Sequence, residues 1–345
     1  AIIACVAAQA AKRMHSRKNP PSSGKTLGAW HISHFPMDLT TPFILPRFGE
    51  YLPTRILPGP MEGVTTGEFL RVLTRHGWIR AWWTPFLRIS VAVPRRARLQ
   101  SWLSPYLECG VPVISQIMGI DTCKLARAAR ELRRLGAAAI DLNCACPSPI
   151  VVGNGAGGAR LRHPGWMRET IHAIRSEVDC PVGIKLRIGF DSPEEFRESI
   201  APAIRDASPD FVTIHFRTVR EGYQRVEDGL ERLAAARGLL PEIPLVGSGD
   251  LFDADSVRKM LEYCHVDAVA PARGLLRNPR LLVDVERALR NQPTDPWGDQ
   301  EKHALLQEFQ TEGSHLGFLL QMAANLFGRN SEDFRKTVEK LTAKP

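Results

Sequence analysis

Ala138-Ala139-Ile140-Asp141-Leu142-Asn143-Cys144-Ala145-Cys146-Pro147 reads as a short apolar strand that ends in an asparagine and two cysteines and is stopped by a proline. A glycine-rich run, Gly155-Ala156-Gly157-Gly158, follows it. The pattern places a sulfur at the mouth of a strand, beside a loop whose bare backbone can approach a ligand. A thiol there can act as proton donor or nucleophile, because its pKa responds to neighbouring charge. The same residues also fit a buried structural cysteine, and the stretch alone leaves both readings open.

Outward from this strand, the pattern of apolar run and amphipathic segment repeats. The runs are Arg55–Pro60, Ile79–Leu87, Val111–Ile117, Ala138–Asn143, Val182–Arg187, Phe211–Phe216, Ile243–Ser248 and Val266–Pro271. Most are near-continuous in Val, Ile, Leu and Ala, as expected of parallel strands buried on both faces. Between them lie helix starts: Asp121 before a helix to Leu135, Asp191-Ser192-Pro193-Glu194-Glu195, and Asp253 before a helix to about Tyr263. Eight such units over roughly 235 residues match an α/β fold of the (β/α)8 TIM barrel type. A doubly wound open sheet is the alternative, but no GxGxxG stands at the first strand–helix turn.

The break Asn291-Gln292-Pro293-Thr294-Asp295-Pro296 ends the barrel. Beyond it no strand-like run occurs, and Gly313, Gly317 and Gly328-Arg329-Asn330 divide the rest into about three short helices. The expected organisation is an arm of unspecified structure over 1–50, a barrel over 51–292 and a small C-terminal helical domain over 293–345.

The 345 residues are 44% hydrophobic, enough for a substantial core. A net charge of +8 and a pI near 9.3 favour a polyanionic partner. The seven cysteines are scattered and form no CxxC or metal-ligand spacing, which fits a reducing compartment, the cytoplasm, and no bound metal. No apolar run is long enough to span a membrane. Residues 1–37 lack Asp and Glu and carry their positive charge after the apolar stretch, the wrong order for a signal peptide. Their composition resembles a transit peptide instead. A monomer is expected.

Ligands of such barrels sit at the C-terminal strand ends. Those ends carry Pro60-Met61-Glu62, Gln116, Asn143 with Cys146, Lys185 with Arg187, His215, Ser248-Gly249-Asp250, and Ala272-Arg273. Polar groups at so many buried strand ends are costly unless they meet a ligand or each other. The loops after strands seven and eight commonly hold phosphate, which glycine backbone and Arg273 can bind. Gln116 and Lys185 can hydrogen-bond the edge of a flat heterocycle, and a cation there favours its reduced, anionic form. FMN fits this set better than a sugar phosphate.

These motifs resemble the tRNA-dihydrouridine synthases. Pro60-Met61-Glu62-Gly63-Val64, Asp141–Pro147 with Gly155-Ala156-Gly157-Gly158-Ala159, Lys185-Leu186-Arg187-Ile188-Gly189, His215-Phe216-Arg217-Thr218 with Gly222-Tyr223, and Arg273-Gly274 with Asn278-Pro279 follow in the family's order. Glu62 and the tryptophan-rich second strand lean toward the bacterial subgroup acting on tRNA position 16. The resemblance implies reduction of FMN by NADPH or NADH, hydride transfer to C6 of a flipped uracil, and protonation of C5 by Cys146. It further implies that Pro60, Met61, Glu62, Gln116, Lys185 and His215 contact the flavin. Ser248, Gly249, Asp250, Ala272 and Arg273 would surround its phosphate, Asn143 and Arg187 would meet the substrate, and the helical domain would grip tRNA.

Ser248 stands where the family usually has Asn, and Ala272 where it has Gly. The C-terminal stretch His315–Leu320 replaces a usually basic segment. Two rival readings are a flavin-dependent dehydrogenase of a free pyrimidine and a tRNA-binding barrel with impaired catalysis.

Overall fold

A computed structural model describes residues 39–342, and the expected arm over 1–38 lies outside them. The remainder of that expected arm is not featureless. Residues Phe43–Leu45 (β1) and Gly49–Leu52 (β2) pair as an antiparallel hairpin. Phe43, Leu45 and Leu52 are buried there. Alternation in so short a segment is too brief to read as a strand.

The barrel strands are Trp82–Trp83 (β3), Leu87–Ile89 (β4), Val113–Gly119 (β5), Ala139–Cys144 (β6), Val182–Arg187 (β7), Phe211–His215 (β8), Leu245–Ser248 (β9) and Ala268–Val269 (β10). They pair in parallel in the order β10-β9-β8-β7-β6-β5-β3, with β4 also on β5. The expected first strand forms a single bridge, Ile56 to Val269. Backbone bonds extend it, Leu57 N–H to Val269 O at 2.9 Å and Gly59 N–H to Pro271 O at 2.7 Å. The spatial order is thus the cyclic order of a (β/α)8 barrel. The expected second strand is split into β3 and β4, with Pro85 between them.

Alternate residues of a strand face the same side. Leu57, Ala81, Trp83, Ile114, Ala139, Phe211, Val246, Ala268 and Ala270 form one buried cluster with the hairpin's Phe43, Leu45 and Leu52. This cluster fills the lower barrel. Gly183 makes room for Phe211: a Cβ at 183 would lie 2.2 Å from that ring. Two residues further along the same strand faces come Gln116, Asp141, Lys185, Thr213 and Ser248, and beyond those Asn143, Arg187 and His215. The interior therefore changes from apolar to polar toward the C-terminal strand ends.

Outside the sheet, Ile140, Leu142, Ile184, Leu186, Val212 and Ile214 pack under the helices in the main core. The helix Thr122–Arg134 starts at Asp121, whose carboxylate accepts the Lys124 N–H at 3.0 Å. The helix Ala254–Cys264 starts with a capping box between Asp253 and Ser256.

The C-terminal segment forms helices Asp299–Thr311, Leu316–Ala323 and Glu332–Thr342, with a π-helical turn Ala324–Gly328. Gly317, expected to separate helices, lies inside one. These helices share the barrel's core. Phe69, in the helix Gly67–Arg75, stacks on Phe309 at 5.4 Å and meets Phe318 edge-on at 5.8 Å. Glu312 accepts a 2.9 Å hydrogen bond from Arg71 and pairs with Arg75, while Glu308 pairs with His76.

Because Phe309 is fully buried in this junction, Phe309→Ala is expected to cost about 3–5 kcal/mol of unfolding free energy. Urea unfolding measures it, and a midpoint equal to wild type would show that the helices are not held through this contact.

Candidate active site

The polar strand ends open into a cavity of about 720 Å³. Of the residues singled out in the sequence, Pro60, Met61, Glu62, Asn143, Cys146, Lys185, Arg187, His215, Ser248, Gly249, Asp250, Ala272 and Arg273 line it. Gln116 does not. Its side chain is fully buried, Nε2 donating to Asp141 Oδ2 at 2.7 Å and Oε1 accepting from Asn143 Nδ2 at 2.8 Å. Each end of its amide thus makes a hydrogen bond within the barrel.

Asn143 shapes the loop that carries Cys146. Its Oδ1 accepts the backbone N–H groups of Ala145 at 3.0 Å and Cys146 at 3.1 Å. The two cysteines part company here. Cys144 is wholly buried on the outer side of β6, and burial raises its pKa well above the ordinary range. Cys146 is half-buried on the cavity wall. Burial raises its pKa too, reinforced by Glu62, while the Ser148 backbone and the arginines at 187 and 88 oppose the shift. Its sulfur is therefore held as a thiol at neutral pH, the form that can give up a proton.

The glycine-rich run does something other than expected. Gly158 N–H donates to Cys146 O at 3.0 Å, and a Cβ at Gly157 would come within 3.0 Å of Cys146 Cβ and 2.7 Å of Val151. The glycines allow a close approach to the back of Cys146 rather than to a ligand.

Arg187 is 2% exposed and acts as a clasp. Nε donates to Ala145 O at 2.9 Å, and Nη1 to Thr218 O at 2.9 Å and Gly222 O at 2.7 Å. It ties the Cys146 loop to the loop that bears Tyr223. His215 accepts the Arg217 N–H at Nδ1, 3.2 Å away. Burial, then the positive charge of Arg187 and Lys185, hold its pKa far below the usual value. The ring is neutral, and with Nδ1 accepting, its proton is on Nε2. Burial, helped by Arg187, also brings the Lys185 ammonium down to about 8, against the opposing pull of Asp141.

On the far wall, Asp250 takes a two-pronged contact from buried Arg217, at 3.0 and 2.5 Å, and a 2.7 Å bond from Arg273. The carboxylate is thus consumed in holding Arg273, whose guanidinium also lies 4.8 Å from the Tyr223 ring centroid. Arg277 stacks on Phe252 at 4.1 Å. The N–H groups of Gly249, Asp250, Arg273 and Gly274 meet no acceptor among the described residues. Together these donors suit an anion. Ala272 is accommodated by a glycine opposite it: a Cβ on Gly59 would lie 2.9 Å from Ala272 Cβ.

The sequence reading missed Phe252, Arg277, Gln321 and Asn325, which also line the cavity. The last two come from the C-terminal helices, and only the tertiary packing brings them to the barrel mouth.

The family model described as dihydrouridine synthase (Dus) matches residues 56–341. The chain belongs to the dihydrouridine synthase family. It is 32% identical to the tRNA-dihydrouridine(16) synthase of Escherichia coli K12 over 262 residues, 74% of this chain and 81% of that protein. It is 28% identical to tRNA-dihydrouridine synthase B of Pasteurella multocida over 267 residues, 76% of this chain and 79% of that one. Among solved structures, the old yellow enzyme TcOYE with pHBA superposes with a TM-score of 0.55 at 13% identity. That match covers 77% of this dihydrouridine synthase chain and 96% of the other. It is a likeness of fold, and it agrees with the barrel described above.

The raised pKa of Cys146 predicts slow alkylation. At pH 7.5 iodoacetamide should label Cys146 more slowly than a free cysteine, with the rate climbing only above the ordinary cysteine pKa of about 8.5. Peptide mapping by mass spectrometry reads this, and labelling of Cys146 faster than free cysteine at neutral pH would contradict it.

Proposed function

We propose that this chain reduces a uridine of tRNA to 5,6-dihydrouridine, using bound FMN and NADPH or NADH. The observation that carries the reading is the position of Cys146. Its protonated thiol lies on the wall of a cavity that also presents Lys185, the neutral His215 and the anion-binding group around Arg273.

The residues present fit FMN. A cavity of about 720 Å³ is of the size that takes a cofactor. Arg273 and the backbone donors of Gly249 and Gly274 suit its phosphate, and Lys185 with His215 suits the edge of its ring system. Pro60, Met61 and Glu62 would border the flavin, and Ser248 and Ala272 would flank the phosphate loop. The chemistry supplied by bound FMN is hydride transfer, from the nicotinamide to C6 of uracil.

The protein's own part is to hold the base and supply a proton. Cys146 Sγ gives its proton to C5 as the C5–C6 double bond takes up the hydride at C6, which leaves a thiolate. The neighbouring guanidinium of Arg187 favours that thiolate, and solvent returns the proton before the next turn. Asn143 and Arg187 shape the pocket wall on which the uracil rests. A base must leave its stack to reach such a cavity, which favours an unpaired loop of the RNA.

A net charge of +8 supports attraction to the tRNA backbone, with affinity falling as salt rises. Position 16 is the proposed site of action, in keeping with the relatives named for it. Action in the cytoplasm, as a monomer, completes the reading. Among the described residues there is no group of three or more His, Cys, Asp or Glu placed to hold a metal, and no helix long and apolar enough to cross a membrane.

Cys146→Ala should leave flavin bound and reducible by NADPH while lowering dihydrouridine formation by about a hundredfold or more. Dihydrouridine mapping in tRNA measures the product and its position. Loss of product in Cys144→Ala, with Cys146→Ala active, would reverse the assignment.

A further inference from the structure

We propose that Asp141 is a positioning residue: through Gln116 and Asn143 it sets the amide polarity that holds the Cys146 backbone at the cavity. The proposal builds on the proton-donor reading of Cys146.

Two side-chain amides stand between Asp141 and Cys146, and each could sit in either of two orientations that exchange its oxygen and nitrogen. The buried partners remove that freedom. Trp83 Nε1 is only a donor, and it donates to Asp141 Oδ2 at 3.2 Å. Gln116 Nε2 donates to the same oxygen at 2.7 Å. With its nitrogen committed there, Gln116 must turn Oε1 to Asn143 Nδ2, 2.8 Å away. Asn143 is then left with Oδ1 toward the N–H groups of Ala145 and Cys146. Reversing Gln116 would set its oxygen against the Asp141 oxygen and its nitrogen against the Asn143 nitrogen. Both contacts are repulsive, and Gln116 and Asp141 are fully buried.

The sheet makes the relay possible. Parallel register pairs Gln116 of β5 with Asp141 of β6, and Asn143 lies two residues further along the same strand face. Asp141, Gln116 and Trp83 are all fully buried. Among the described residues Asp141 Oδ1 has no hydrogen-bond partner, so it can carry a proton while Oδ2 continues to accept from both donors. Burial pushes this carboxyl up to about 7, with Gln116, Lys185 and Trp83 opposing the rise. The relay therefore requires an acceptor oxygen at Oδ2 and not a negative charge.

That distinction gives the test. Asp141→Asn keeps an oxygen for Trp83 and Gln116 and places its NH2 where Oδ1 was. Asp141→Val removes the acceptor, and Gln116→Met breaks the relay one link later at similar volume. Each purified variant is first checked for a cooperative thermal transition above the assay temperature. Two readouts follow: turnover on unmodified tRNA at saturating concentration, and the iodoacetamide labelling rate of Cys146.

The expected result is that Asp141→Asn retains wild-type labelling and turnover within about threefold. The broken relays should lose up to about a hundredfold in kcat, with little change in KM and an altered labelling rate. Should Asp141→Val fail to fold, Gln116→Met carries the same expectation. Equal loss in Asp141→Asn and a broken relay would overturn the proposal in favour of charge. Wild-type labelling in Gln116→Met would overturn it as well. If wild type itself makes no dihydrouridine, the functional reading fails, while the labelling comparison still decides the relay.

Discussion

The register of the parallel sheet is the constraint on which the site depends. Parallel pairing sets Gln116 beside Asp141 and Asn143 beside Lys185, so that alternate residues of neighbouring strands meet at one depth inside the barrel. A slip of one residue in β6 would send Asp141 and Asn143 outward among the helices and bring Ile140 and Leu142 inward. The apolar lower barrel opposes that slip. Phe211 fits only because position 183 is glycine, and the hairpin at 43–52 closes over the same cluster. Packing at the bottom thus secures the polar geometry at the top.

Charge at the mouth is organised by the same logic. Four cationic side chains, Lys185, Arg187, Arg273 and Arg277, reach the cavity, and each of the three arginines has a second task or a ring to lie on. Arg187 clasps three carbonyls, Arg273 is braced by Asp250, and Arg277 rests on Phe252. Burial of its ring, then the positive charge of Arg187 and Lys185, keeps His215 neutral. The outcome is a wall that attracts an anion, opposite a thiol that keeps its proton.

Much of this was legible in the sequence. Near-continuous apolar runs located the strands, and several of the residues that broke those runs, Asn143, Lys185, Arg187, His215 and Ser248, line the cavity. Alternation sets Cys144 on the opposite side of β6 from Asn143, but it cannot part Cys144 from Cys146 two residues on, which only the family resemblance distinguished. What stayed hidden was direction and distance. Gln116 stands at a strand end like the others, yet its amide is spent on Asp141 and Asn143. Gly157 and Gly158 looked like a ligand cradle, but they serve the close packing behind Cys146. Gln321 and Asn325 carry no motif, and a helix joined to the barrel by Phe69, Phe309 and Phe318 delivers them to the cavity. The hairpin at 43–52 was too short for its alternation to register.

The central claim is that the cavity holds a flavin which passes reducing equivalents to tRNA. The direct measurement is the visible absorption spectrum of the purified protein, before and after anaerobic NADPH, and again after addition of unmodified tRNA. The account predicts a yellow protein that bleaches with NADPH and regains its colour as tRNA is reduced. A colourless protein that takes up no FMN, or a bleached one that tRNA leaves unchanged, would contradict it.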